Sequence, residues 1–206
     1  MGNLLHSFIL SFIPVFVATD AIGNIPLFVG LTEGLPDPER RRVANISVLM
    51  ATSIALAFMF GGRLVFEVMG ITVPDFRIAG GILLLVLSTH MLIAGKAAVG
   101  APLEDVAIFP LASPLIAGPA VLTTTLVLAA RPGNFVPTLI SLILNMGITW
   151  VVFRYCHRVE MIITKQGAKA FSKVVEILLA AIAVHMIRVG LEEAGMEFVK
   201  QMRMGN

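Results

Sequence analysis

LLHSFILSFIPVFVATDAIGNIPLFVGLT at 4–32 and VAIFPLASPLIAGPAVLTTTLVLAA at 106–130 are two apolar stretches broken in the same manner. Each is long enough to cross a bilayer, for which about 20 apolar residues suffice. Each also carries Gly, Pro and a carboxylate or hydroxyls where a plain anchor would use Leu and Val. In lipid, helix-breaking residues are tolerated only where protein or a watery cavity takes up the freed backbone groups. One such interruption in each half of a chain is the sequence pattern expected of a carrier's binding site.

The rest of the composition agrees with a membrane protein. Hydrophobic residues make up 57% of the chain and charged residues 14%, and the mean hydropathy is +0.92. The formal net charge of +2 comes from short basic loops rather than from one basic face, so nucleic acid is not expected as a partner. Cys156 is the single cysteine, which excludes an internal disulfide and a thiolate metal site. The four histidines have no metal-ligand spacing, and no metal or other cofactor is expected. The first apolar run starts at Leu4 without a basic flank and exceeds the length of a signal sequence, so it is expected to remain as a spanning helix.

Charged or Gly/Pro-rich breaks divide the chain into six predicted spans at about 4–32, 43–66, 76–95, 106–130, 135–156 and 173–191. Pro36 and Pro38 are expected to forbid a continuous helix through the loop 33–42. The stretch 68–75 ends in a Pro-Asp turn signal, and 95–105 reads as loop. Residues 154–172, with Arg154, Arg158, Lys165 and Lys169 among apolar positions, suit a short interfacial helix.

A shift of 95 residues aligns the chain with itself, pairing Phe58 with Phe153, Arg63 with Arg158, Phe76 with Phe171, His90 with His185, Met91 with Met186 and Gly23 with Gly118. Three spans per repeat is an odd number, so the second repeat must enter the membrane from the opposite side. The expected fold is therefore an all-α membrane protein of six transmembrane helices. Two inverted three-helix repeats, 1–95 and 96–206, make up one membrane domain, and spans 1 and 4 are broken at the midplane. Loops after spans 1, 3 and 5 hold nine of the Lys and Arg residues and the other side six. That bias places both termini outside the cytoplasm.

Asp20 is the sharpest candidate for chemistry. A carboxylate at membrane depth costs at least about 2.5–3.5 kcal/mol, so it must be protonated, paired with a cation or turned to water. It reads as a substrate and coupling-ion residue, or as a cap for the helix that resumes after the break. Gly23 permits an unusual backbone angle, Asn24 offers donor and acceptor, and Pro26 fits a first helical turn. Ser113, Pro114, Gly118 and Pro119 form the matching break. Thr123, Thr124 and Thr125 follow it; Thr123 is a candidate substrate ligand, whereas back-bonding to the helix suits the other two. Asn145 lines a cavity or bridges helices. His90 and His185 read as interfacial rather than as a proton relay, and the run AGG at 79–81 suits close helix packing.

TDAIGNIPLF (19–28), FRIAGGILL (76–84) and FPLASPLIAGPA (109–120) resemble, in order and spacing over nearly the whole chain, the MarC family of integral membrane proteins. Its D-P-x-G-N-x-P-x-F pattern is matched by Asp20, Gly23, Asn24, Pro26 and Phe28, with Ala21 in place of the proline, which is expected to weaken the first break. The resemblance implies a six-helix inverted-repeat carrier of the cell (inner) membrane with both termini outside. It also implies glycine, alanine or similar small neutral amino acids as substrates, moved with a proton gradient.

The expected substrate-binding set is thus Asp20, Gly23, Asn24, Ser113, Gly118, Thr123 and Asn145, with Asp20 also taking the coupling proton or sodium. Export of another small metabolite, or a non-transporting scaffold in which the breaks only shape packing, are the alternatives. No HExxH, GxSxG or paired-aspartate motif suggests an enzyme, and no phosphate-binding loop suggests ATP. Six helices offer little lateral bulk around a cavity, so a homodimer surrounded by lipid is compatible with the sequence.

Overall fold

A computed structural model describes residues 2–94, 103–156 and 165–204. Among them the chain is all helical: α1 (Gly2–Thr19), α2 (Ile25–Leu31), α3 (Asp37–Met69), α4 (Val73–Ala94), α5 (Leu103–Val106), a widened, interrupted helical segment (Ala107–Ile116), α6 (Pro119–Ala129), α7 (Phe135–Tyr155) and α8 (Lys165–Met204). α3, α4 and α7 are each long and apolar enough to cross a bilayer. A fourth crossing results when Leu103–Ile116 and Pro119–Ala129, bent by 54° at the break, are taken as one span.

Polar and apolar side chains are distributed as lipid demands. Ser11, Thr19, Ser47, Thr138, Ser141, Asn145 and Thr149 are all at most 1% exposed, whereas Val17, Phe60 and Ile93 point outward. Lipid tails are as apolar as leucine, so outward-facing leucines cost nothing there, and the interior can take the hydroxyls. On α7 the polar residues recur at 134, 138, 141, 145 and 149, one helical stripe against α1. Thr138, Ser141, Asn145 and Thr149 each bond the carbonyl four residues back. Ser141 and Asn145 also reach the Phe8 and Phe12 carbonyls at 3.5 and 3.4 Å.

The helices alternate in direction. Steps of four along α1 and along α7 match in those last two bonds, so the pair runs parallel. α3 opposes α7, with Asn45 bonded to Trp150 and Phe60 against Phe135. α4 opposes α8 in the most extensive interface of the molecule. Gly81 lies against Ala183 and Ile187, and Gly190 against Pro74 and Ile78. The small-residue run at 79–81 thus does allow close packing.

Several boundaries differ from the sequence reading. α3 begins at Asp37, inside the expected loop, because Pro38 falls in the first turn, where no N–H is needed, and Asp37 and Glu39 favour the helix N-terminus. α3 ends at Gly70 in the left-handed conformation (φ 64°). Thr72 and Asp75 then bond reciprocally to start α4, a capping box at the expected turn. No separate interfacial helix forms over 165–172, which is continuous with α8. Residues 157–164, the expected loop at 95–102 and the boundary between the halves at 95–96 lie outside the described residues.

A Cβ on Gly81 would come 2.8 Å from Ile187 and 2.9 Å from the Ala183 carbonyl, whereas one on Gly61 would meet nothing within 4 Å. Gly81→Val is therefore expected to lower stability in detergent by about 1–3 kcal/mol, the usual overpacking cost, and Gly61→Val to leave it unchanged. Thermal unfolding of both variants checks this.

Candidate functional site

The first break is built by Asp20. Its backbone is left-handed (φ 43°), a conformation that costs other residues about 1–2 kcal/mol and that Asp offsets by bonding locally. Its N–H still donates to Phe16 O at 3.1 Å, closing α1, and its own carbonyl accepts Asn24 N–H at 3.0 Å. The carboxylate accepts Gly23 N–H at 3.1 Å. From the other side, the Asn24 side chain donates to Thr19 O at 3.0 Å. A freed donor and a freed carbonyl are thereby satisfied within five residues, and Pro26 opens α2.

Asp20 thus does cap the break, and it is exposed, whereas Asn24 is buried. The unusual backbone angle belongs to Asp20 and not, as expected, to Gly23. Gly23 is needed for another reason: a Cβ there would lie 2.1 Å from the Asp20 carboxylate. Ala21, in place of the family proline, does not keep the chain from breaking at Asp20.

The second break starts earlier than the sequence reading placed it. Phe109 (φ −130°, ψ 120°) and Ser113 (φ −138°, ψ 130°) are both extended. Each precedes a proline, the position from which helical geometry is sterically disfavoured. That signal was present in FPLASP and applies to Phe109 as fully as to Ser113. Ala117 N–H donates to Ala112 O at 2.8 Å. Gly118 precedes α6 with no side-chain cap, and a Cβ on it would lie 2.4 Å from Pro114 O.

Beyond α6's first turn a cavity of about 820 Å³ opens between α1, α4, α6 and α8. Of the seven candidate residues only Thr123 lines it, beside Thr124. Thr125 back-bonds to the Val121 and Leu122 carbonyls as expected, whereas Thr124, expected to do the same, faces the cavity and Thr123 donates to Ala120 O at 3.3 Å. The cavity's charges are Arg77, Glu193 and Arg131, and Arg77 forms an ion pair with Glu193 across the α4–α8 interface. This pair could not be found by local pattern, since its partners are 116 residues apart and meet only through helix pairing. One turn or two along the same helices, a Cβ on Gly80 would come 3.1 Å from Pro119 and 3.3 Å from Met186.

Asn145 bridges α7 to α1, yet its Oδ1 is buried with no hydrogen-bond partner. Its neighbours are carbonyls, so turning the amide over would only worsen the arrangement. A buried acceptor left this way costs about 1–3 kcal/mol. His90 and His185 are both exposed, and neither lines the cavity.

The MarC family of integral membrane proteins matches this chain over residues 5–194. The chain belongs to that family. It is similar to a UPF0056 membrane protein of Methanocaldococcus jannaschii, 33% identical over 92% of this chain and 98% of the relative. A UPF0056 membrane protein of Archaeoglobus fulgidus is 30% identical over 94% of this chain and 96% of its own length. One from Bacillus subtilis is 29% identical over 92% and 96%. No solved structure matches the chain. Family membership and the apolar helices make this a multi-pass membrane protein.

The two glycines differ in what a methyl group would strike. The carboxylate beside Gly23 can rotate away, whereas the Pro114 carbonyl beside Gly118 is backbone. Gly118→Ala is therefore expected to destabilise the protein more than Gly23→Ala, by at least about 1 kcal/mol. Thermal unfolding of the two purified variants checks the order.

Proposed function

We propose that this MarC-family protein is a secondary carrier of small neutral amino acids such as glycine and alanine. It would comprise two inverted three-helix repeats that cross the cell membrane six times. The observation that carries this reading is that two of the helix contacts survive exchange of the halves. α1 lies on α7 as 107–116 lies on α3, and α2 reaches α8 as α6 reaches α4. α3 and α4 pair antiparallel with their own counterparts, α7 and α8, as inversion requires. The bias of Lys and Arg supports both termini outside the cytoplasm.

Side-chain packing breaks that symmetry in the way alternating access needs. Phe28 on α2 is fully buried and stacks on Phe153 at 4.3 Å between centroids. Its repeat equivalent on α6 is Thr123, which lines the open cavity. One half-helix is sealed while the other faces the open cavity.

The uncapped N-terminus of α6 suits a substrate carboxylate, and Asn145 Oδ1 offers a buried acceptor to an ammonium. Asp20, exposed at the other break, is the coupling residue in this scheme, taking a proton or sodium. Its bond to Gly23 favours a second, purely structural role, which transport data separate from the first.

Uptake of labelled glycine and alanine into liposomes, under an imposed proton gradient and then a sodium gradient, tests the reading. Gradient-driven uptake is expected, lost in Asp20→Asn and with affinity reduced roughly five-fold in Thr123→Val, the worth of one hydrogen bond. Absence of uptake under both gradients would remove the carrier assignment for these substrates. Normal uptake by Asp20→Asn would leave that residue as a cap alone.

A further inference from the structure

A second built feature lies outside the cavity, on the lipid-facing side of the α3–α7 crossing. A groove of about 390 Å³ runs there with Val48 and Met146 in its floor and Leu49 and Ile143 as walls. Val48 and Met146 are buried; Leu49 and Ile143 are exposed. Gly147 notches it, since a Cβ there would meet nothing within 4 Å. At one end Trp150 Nε1–H donates to Asn45 Oδ1 at 2.7 Å, closing the groove with an indole that bridges both helices.

Charge sits beyond that end. Arg154 lies 5.1 Å from the Trp150 ring centroid. Because α3 and α7 run antiparallel, one turn beyond Asn45 on α3 and one turn beyond Trp150 on α7 lead the same way. Those turns carry Arg41 and Arg154, and Arg41 is exposed. Neighbouring Arg42 is taken by Glu104 at 2.6 Å. Among the described residues neither Arg41 nor Arg154 has an ion-pair partner, and Asp37, one turn further out, pairs with neither. From this end to Thr52 and Ile143 the groove spans seven residues of each helix, about 10 Å. That is most of one leaflet's hydrocarbon depth of about 15 Å.

We propose that this groove binds an anionic glycerophospholipid, its phosphate on Arg41 and Arg154 and one acyl chain along Leu49, Ile143 and Gly147. The charge commits the site to an anionic headgroup: basic pockets between spanning helices select such lipids, and an indole at the end of an acyl groove sits at headgroup level. An uncharged apolar seam would accept any chain, but two guanidinium groups without an ion-pair partner among the described residues, one turn beyond its end, discriminate by phosphate charge. The assignment stands independently of whether the protein transports anything.

Trp150 is the only tryptophan of the chain, so its fluorescence reports this groove directly. The full-length protein is reconstituted in dioleoyl-phosphatidylcholine vesicles containing increasing fractions of either brominated phosphatidylglycerol or brominated phosphatidylcholine. Brominated phosphatidylglycerol is expected to quench at a mole fraction at least roughly five-fold lower, since one basic residue contributes about that factor. In the double variant Arg41→Gln/Arg154→Gln the two curves are expected to coincide. In Arg188→Gln, which removes an arginine elsewhere, the preference is retained. Each variant is compared with itself, so an altered emission of Trp150 does not affect the outcome. Coincident curves in the wild type, or a preference that persists in the double variant, overturn the proposal. Quenching by neither lipid overturns it as well, placing a second copy of this chain over the groove.

Discussion

A bilayer offers no hydrogen-bond partner, and the structure is organised by that shortage. Each backbone group released where a helix breaks must find its partner within the protein. At the first break the partners are two side chains working in opposite senses, Asp20 accepting from Gly23 and Asn24 donating to Thr19. At the second they are backbone: Ala112 O takes Ala117 N–H, and Gly118 O takes Leu122 N–H. The first break therefore depends on which residues occupy it, and the second on how closely its turns approach. Gly23 and Gly118 mark the difference, one kept clear of a carboxylate and the other of a carbonyl.

The same constraint explains why α7 can carry a polar stripe. Its Ser, Thr and Asn side chains within the helix return their donors to the helix they stand on, leaving long bonds to α1 beside one of 3.0 Å from Asn134 to Ser11. Interhelical polar contacts of this kind are worth about 1 kcal/mol or less. The interface is thus held mainly by shape, and α1 can pack on α7 without being locked to it. α4 and α8 are joined differently, by glycines that bring the backbones together and by the Arg77–Glu193 pair at one end. Close backbone packing over that length makes these two helices a stiff unit beside the bundle.

What could be read from the sequence depended on range. Asp20, Gly23, Asn24 and Pro26 sit within seven residues, so their break could be placed to the residue. The assignment of the odd backbone angle nevertheless went to the glycine by rule, when a local hydrogen bond had given it to Asp20. Pro36 and Pro38 do prevent a continuous helix through 33–42, although Pro38 lies in the first turn of α3, and Pro110 extends the second break back to Phe109. α8 ran past its apolar core because charged residues do not stop a helix once it leaves lipid. The cavity was almost wholly illegible, since it is lined from four helices and its ion pair joins residues of α4 and α8. Of the residues singled out in sequence, Thr123 reached it because it follows the break by one turn.

Repeat equivalence makes the remaining differences between the halves informative. Asp20 corresponds to Leu115, Phe28 to Thr123 and Thr32 to Val127. α2 is held at both ends, by Asn24 on Thr19 and by Arg40 Nη2 on Thr32 O at 3.3 Å, and its interior is packed by Phe28 against Phe153. Neither helix has a side-chain cap at its start, but α6 has a half-buried Thr124 and an exposed Val127. If the two halves exchange roles, as the proposed carrier function requires, the side chains favour the arrangement in which α2 is sealed. In the carrier reading that bias is a few kcal/mol at most, the scale at which a minor state stays populated. A substrate reverses it only by binding the other arrangement more tightly. A buried group that could supply this difference is Asn145 Oδ1, which has no hydrogen-bond partner now.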